Sequence, residues 1–370
     1  MGKILKWIFI ILSSAASIAL IIFLMVRLAP EPPVAEVEIA RETLAKAGTN
    51  KAGTYSKKLY NEARIAFDSA MESWKMENEK FIYFRDFEKV RDYAKLSATK
   101  SKQATESSLS NSNSLKLKLS EKIDSLNRTE KSLDRLFGRY PLSPEIRSRI
   151  SNGKMLLKEA EVAYNKGQYL PANRKITDAE YLLTNVYDNC IDELKDYFKS
   201  YPTWHKWVQT SITESRRNNS YVLIIDKFSR KCYLYLAGNI KYEFDAELGR
   251  NWVGDKQKSG DKATPEGIYR IVTKYHGRET LYHKALRIDY PNAEDKEKFR
   301  TELAKGIIPA SSKIGGGIEL HGGGGKGVDW TEGCVAVTDR EIDMIYNLVK
   351  VGTTITIVGS MKNIDEVLEN

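Results

Sequence analysis

The stretch from residue 318 to 337, IELHGGGGKGVDWTEGCVAV, decides how the C-terminal third of the chain is read. It sets His321 at the end of a short apolar run, then Gly322 to Gly325, then Asp329-Trp330-Thr331-Glu332-Gly333-Cys334. Adjacent glycines dissolve regular structure and let backbone approach backbone closely. A glycine directly before a cysteine lets the N–H groups of Gly333 and Cys334 turn toward a substrate carbonyl. Cys334 therefore reads as a nucleophile, His321 as its base, and the two N–H groups as an oxyanion site.

Blander readings exist for both side chains. A free cysteine often serves as a small buried hydrophobe. His276, His283, His321 and Cys334 have the composition of a zinc site. Their spacing follows no compact ligand pattern, however, and no HExxH sequence is present. Neither a buried-hydrophobe cysteine nor a merely structural histidine explains four glycines between a strand end and a Gly-Cys turn, a run that is costly in entropy to order. Thiol catalysis is the stronger reading, with no metal and no cofactor.

Outward from this stretch the pattern is short and extended. Tyr221 to Asp226, Lys231 to Ala237, Lys241 to Leu248 and Ile268 to Val272 read as strands, with a hairpin turn at Gly238-Asn239. Ala293 to Ala304 reads as a charged helix on the rim. Thr338-Asp339-Arg340-Glu341 is a capping box opening another helix, and Thr353 to Val358 is a final strand. Residues 218–360 are expected to form one mostly β catalytic domain, with 361–370 as a tail. The βα alternation of a doubly wound sheet is absent.

The N-terminal half has a different period. Lys3 and Lys6 precede an apolar run, Trp7 to Leu28, long enough to span a bilayer. A cleaved signal peptide would have a shorter core, so an uncleaved anchor is expected, with the N-terminus cytoplasmic and the rest outside. Pro30, Pro32 and Pro33 end that helix, making residues 1–35 the anchor and its exit. Residues 36–217 read as helices. Leu59, Ala63, Ala66 and Ala70 form one stripe, and Phe84, Phe87, Val90 and Ala94 another. Leu119, Ile123, Leu126 and Leu133 suit a coiled-coil-like seam. A last helix is expected over 184–217, with Trp204, Trp207, Val208 and Ile212 packing.

The net charge of +9 over 370 residues is spread along the chain. No zinc-finger spacing or arginine block accompanies it, which argues against nucleic acid as a partner. Cys190, Cys232 and Cys334 are too few for a disulfide scaffold.

Taken together and in order, several pieces resemble the L,D-transpeptidase catalytic domain of the YkuD type. They are Leu248-Gly249, the segment Gly254-Asp255-Lys256 through Gly260-Asp261, Thr264-Pro265-Glu266-Gly267-Ile268-Tyr269, and Tyr290-Pro291-Asn292. His321-Gly322 and Thr331-Glu332-Gly333-Cys334-Val335 complete the set. The resemblance covers residues 221 to 359, a little over a third of the chain. It implies a peptidoglycan enzyme in which Cys334 attacks the carbonyl of the meso-diamino acid at the third position of a tetrapeptide stem. The terminal D-alanine leaves, and the acyl group passes to a neighbouring stem as a 3–3 crosslink. His321 is then the base, held by a backbone carbonyl, with Gly322, Gly333 and Thr331 supporting the turn. Tyr282, His283, Asp329, Trp330 and Glu332 line the cleft, and Asp329 or Glu319 supplies contacts to the substrate amine or to the residues that hold the site. Carbapenems are the implied inhibitor class.

Two positions depart from the commoner motif. Glu332 stands where that motif has histidine, and Ala336 where it has arginine. The Asp-Trp-Thr-x-Gly-Cys form is similar to a subgroup of the family, and it leaves the acyl acceptor open. Carboxypeptidase action or crosslink hydrolysis shares the first half-reaction. A non-catalytic wall scaffold, acting through the helical half, is the reading from a different class. The implied location is the inner membrane, single-pass through residues 7–28, with the catalytic domain periplasmic or otherwise extracytoplasmic. The helical region is then a spacer or a contact for a cell-wall protein.

Overall fold

A computed structural model describes residues 2–369. Helix α1 (Gly2–Leu28) buries none of its residues. After the prolines come α2 (Val34–Thr49), the short α3 (Ala52–Tyr55), α4 (Lys57–Asn78) and α5 (Glu88–Phe137), followed by α6 (Pro144–Asn165), α7 (Tyr169–Phe198) and α8 (Tyr201–Asn218). The weakly patterned interval 98–117, and the strand-like LKLKL at 115–119 that overlaps its end, lie inside the 50-residue α5. Its serines and lysines are tolerated on a helix whose one buried stripe carries the packing.

Two compact units are present. The first takes in the chain through Lys122 together with Glu161–Asn173; the second takes in Ile123–Ala160 and the chain from Arg174 onward. In the first unit Val37, Ala40, Ala70, Phe87, Val90, Ala94 and Ala98 share a core. Phe84, expected in that stripe, is instead 76% exposed. It lies in a 3-10 turn, Ile82–Phe84, that interrupts the helix between α4 and α5.

In the second unit the single helix expected over 184–217 is two. α7 runs to Phe198 and α8 starts at Tyr201. Pro202 sits in the first turn of α8, where its missing N–H is harmless; continuing α7 through it would cost a helix bond. The buried face of α8 is Trp204, Val208, Ser211 and Ser215, at spacings of four, three and four. It therefore turns slightly from the expected face, leaving Trp207 and Ile212 half-buried.

The sheet has eight strands: β1 (Tyr221–Asp226), β2 (Lys231–Leu236), β3 (Asn239–Asp245), β4 (Gly267–His276), β5 (Lys284–Ile288), β6 (Glu319–His321), β7 (Val335–Ala336) and β8 (Thr354–Val358). Their order is β3-β2-β1-β8-β4-β5-β6-β7. β1–β3 form an antiparallel meander, and β8 pairs parallel with β1 and antiparallel with β4. All five residues of β8 are buried, as a central strand covered on both faces requires. Helix α9 (Ala293–Ala304) has no buried residue, and α10 (Asp339–Leu348) opens at the expected Thr338/Glu341 capping box. The C-terminal segment carries α11 (Ile364–Glu369), to whose Val367 and Leu368 carbonyls Arg135 donates at 3.1 and 2.8 Å.

Candidate active site

The site stands at the β6–β7 end of the sheet. These strands pair in parallel, with Leu320 opposite Val335 and His321 opposite Ala336. Continued by one residue, the register sets Cys334 opposite Glu319. Side chains alternate along a strand, so Glu319, His321 and Cys334 share one face, with His321 and Cys334 diagonal neighbours. Leu320 and Val335 point the other way and are buried.

Both flanks of the cysteine are pinned by the segment before the polar loop. Glu247 and Ala336 exchange two backbone hydrogen bonds of 2.8 Å, and Thr331 N–H donates to Leu248 O at 3.1 Å. The Thr331 hydroxyl closes the turn itself, donating to Cys334 O at 2.7 Å and accepting from Gly333 N–H at 3.2 Å. Of the two expected oxyanion donors, the Gly333 N–H is thus occupied by Thr331. Gly333 has φ 134°, and a Cβ there would lie 2.7 Å from Ala263 O, so only glycine fits. The four-glycine run is packed rather than loose. Gly323 N–H donates to Asp339 Oδ1 at 2.7 Å and Gly324 N–H to Val337 O at 2.8 Å. A Cβ on Gly322 would lie 2.5 Å from Asp339 Oδ1.

His321 is fully buried, and its Nδ1 lies 2.6 Å from Gly322 O. A carbonyl can only accept, so Nδ1 carries the proton and the lone pair of the neutral ring is on Nε2. Nε2 is buried with no hydrogen-bond partner among the described residues. Tyr282 stacks on the imidazole at 3.5 Å between centroids and 9° between planes. Trp330 meets it nearly edge-on at 5.8 Å, with Lys326 Nζ 3.3 Å above the indole. The Cys334 thiol donates to Gly317 O at 3.7 Å.

Burial dominates the electrostatics. It pushes the Cys334 thiol up to about 11, against the Glu319 N–H and Lys256, which both pull it down. It holds His321 at about 4 despite the Gly322 carbonyl, with Lys326 adding to the fall. At neutral pH the resting pair is therefore a neutral thiol and a neutral imidazole, not a preformed thiolate–imidazolium. Such a pair can transfer its proton only as the thiol attacks. Glu319 is half-buried, with no hydrogen-bond or ion-pair partner among the described residues. Burial raises its pKa, and Arg287, opposite it on β5, partly offsets the rise.

The other expected cleft residues divide. Tyr282 and Trp330 wall the imidazole. Glu332 is exposed, 3.6 Å from Arg250 and 3.9 Å from Lys262. Asp329 does not face the cleft freely: it accepts from Leu248 N–H at 3.0 Å and Arg230 Nε at 2.9 Å, with Arg139 Nη2 at 3.5 Å. His283 turns to α10, with Nε2 2.9 Å from Asp343 Oδ1. Glu247 had no signal in the sequence. Its buried carboxylate accepts from Gly327 N–H at 2.6 Å and Trp330 Nε1 at 2.7 Å, fixing the indole beside His321. Among the described residues no three histidine, cysteine or acidic side chains are grouped to hold a metal.

Residues 220–357 match the family model described as YkuD, L,D-transpeptidase catalytic domain. YafK of Escherichia coli strain K12, whose name carries L,D-transpeptidase as a provisional activity, is 31% identical over 98 residues. That match covers 26% of this chain and 32% of YafK, so the chain spans about a third of the length of the curated relatives it matches. Bd1075 of Bdellovibrio bacteriovorus is 26% identical, with TM-score 0.31, covering 41% of this chain and 54% of that one. An L,D-transpeptidase from Mycobacterium smegmatis is 12% identical, with TM-score 0.26, covering 38% and 58%.

Proposed function

We propose, for a chain whose residues 220–357 form a YkuD-family L,D-transpeptidase catalytic domain, that the reaction is cysteine acyl transfer on peptidoglycan peptide stems. The observation that carries the proposal is the bare Nε2 of His321, on the same sheet face as Cys334, with Nδ1 committed to Gly322 O. As Cys334 attacks the carbonyl of the third-position diamino acid, its proton passes to His321 Nε2 and a C–S bond forms. The Cys334 N–H, the donor of the pair not held by Thr331, stabilises the oxyanion. When the C–N bond to the terminal D-alanine breaks, the leaving amine takes the proton from the imidazolium. An acceptor amine then attacks the thioester, gives its proton to His321, and releases the reprotonated thiol with a 3–3 crosslink formed.

Glu319 is the group proposed to receive the side-chain ammonium of the diamino acid. It is the carboxylate beside the thiol that its own chain leaves unpaired, whereas Asp329 is spent on Arg230. A charge so placed recognises an opposite charge better than a solvated one does. α1, a 27-residue helix with a long apolar run after Lys6, is proposed as a single-pass anchor, with residues 36–217 a helical spacer and the catalytic domain outside the cytoplasm.

The test is incubation of the protein with tetrapeptide muropeptides, followed by mass analysis of products. A crosslinked dimer with release of D-alanine is expected, absent from Cys334→Ala. Tripeptide without dimer would make the enzyme an L,D-carboxypeptidase. Loss of dimers from a crosslinked substrate would make it a hydrolase. No product at all, beside a working control enzyme, would leave the scaffold reading.

A further inference from the structure

We infer that the loop Lys80–Arg85, sequence KFIYFR, is a second membrane contact, seating Phe81 and Phe84 in the interfacial layer of the bilayer that α1 crosses. The inference rests on α1 as a span and is independent of the catalytic proposal. The loop joins α4 to α5 and presents four consecutive apolar or aromatic side chains to solvent. Phe81 is 66% exposed, Phe84 76%, Ile82 41% and Tyr83 37%. The rings cluster, with Phe81 5.8 Å from Tyr83 and 6.0 Å from Phe84. Single exposed hydrophobes are ordinary, but a contiguous aromatic tip marks a surface that something covers.

What covers it follows from its position. The Tyr83 hydroxyl donates to Met25 O at 3.1 Å, within the last turn of α1. The aromatic tip thus stands level with the end of the apolar helix, at the depth where phenylalanine, tyrosine and tryptophan collect around membrane spans. Arg27, in the same last turn of α1, is suited to a lipid headgroup phosphate while its stem lies along apolar surface. The polar base of the loop is fully tied. Arg85 donates to Lys80 O and Asn78 O at 3.0 Å each, Glu77 accepts from Asp86 N–H at 2.9 Å, and Lys80 pairs with Glu77 at 2.7 Å. Arg91, in the first turn of α5, donates to Glu31 O at 2.9 Å and so ties that helix to the chain leaving α1. An apolar tip on a braced polar base, beside a spanning helix, fits a lipid interface. It would fix the first helical unit against the bilayer rather than leave it on a flexible tether.

The test uses the full chain in nanodiscs of phosphatidylcholine brominated near the glycerol end of the acyl chains, against unbrominated discs. Phe84→Trp adds a tryptophan at the tip. Ile65→Trp adds one on the exposed side of α4, about 20 Å from the loop at 1.5 Å rise per residue. After subtraction of the parent emission, the Phe84→Trp signal is expected to be blue-shifted and to fall several-fold in brominated discs. The Ile65→Trp signal should be water-like and unchanged. A water-like, unquenched Phe84→Trp signal would overturn the inference, as would a blue-shifted but unquenched one, which would mean a protein cover instead. Trp7, within α1, reports the span separately: if its emission is not quenched, α1 is not in the bilayer and the inference fails with it.

Discussion

Two buried polar clusters in the catalytic domain differ in one respect. Under α8, Lys227 is fully buried, and its ammonium donates to Gly254 O at 2.7 Å, Thr264 O at 2.9 Å and Glu266 at 2.8 Å. Glu266 also accepts from Tyr197 at 2.7 Å and Trp204 Nε1 at 2.8 Å. Every donor of that ammonium is satisfied, as a buried charge requires. At the β6–β7 end, His321 Nε2 is buried, and neither it nor the Glu319 carboxylate has a hydrogen-bond or ion-pair partner among the described residues. Both clusters carry a cost of burial, but only one has it offset within the chain. On the proposed mechanism, the polar groups left incomplete beside the thiol are those held for a substrate.

Four substitutions and one titration break or sharpen this contrast. The largest effect is expected on catalysis: Cys334→Ala abolishes turnover, and His321→Ala lowers kcat/KM by about 10²–10⁴, the range for loss of a general base. Thermal melts of both should stay near the parent. The reverse pattern is expected at the saturated cluster. Glu266→Gln leaves the Lys227 charge buried without its counter-ion and should destabilise the domain by about 3–5 kcal/mol, read by denaturant unfolding. Turnover per folded molecule should hardly change.

A smaller and signed effect concerns pH. With the thiol at about 11, alkylation of Cys334 by iodoacetamide should climb about tenfold per pH unit from 7 to 10, as the thiolate fraction does below its pKa. A plateau reached near pH 5 would mean a preformed ion pair. Peptide mapping separates half-buried Cys334 from Cys190 and Cys232, which are buried. The smallest effect is expected from Glu319→Gln, a rise in KM of about tenfold with kcat less affected, consistent with one lost charge-assisted contact of about 1.4 kcal/mol. An amidated stem that lacks the free amine should erase the difference.

The sequence made the local parts legible. Short runs rich in apolar, β-branched and aromatic residues marked β1 and β2, the Thr338/Glu341 pair marked the start of α10, and Gly333-Cys334 with His321 marked the candidate site. The rest depended on partners far along the chain. Asp329 reads as a cleft residue until Arg230, 99 positions earlier, takes its carboxylate. Glu247 is one acid among many until Trp330 reaches it across 83 positions. The tryptophans of α8 promised a packing face, but two serines complete it, because Ser211 meets Thr356 of the central strand β8. Phe84 continued a helical stripe on paper, and the 3-10 turn moved it to the surface.

The most direct measurement is the intact mass of the protein after brief exposure to a tetrapeptide stem at neutral pH, with the adduct mapped by fragmentation. A thioester on Cys334 that carries the stem without its D-alanine, and that fails to accumulate in His321→Ala, is the expected result. An acyl group on another residue, or product formed at the parent rate by Cys334→Ala, would contradict it.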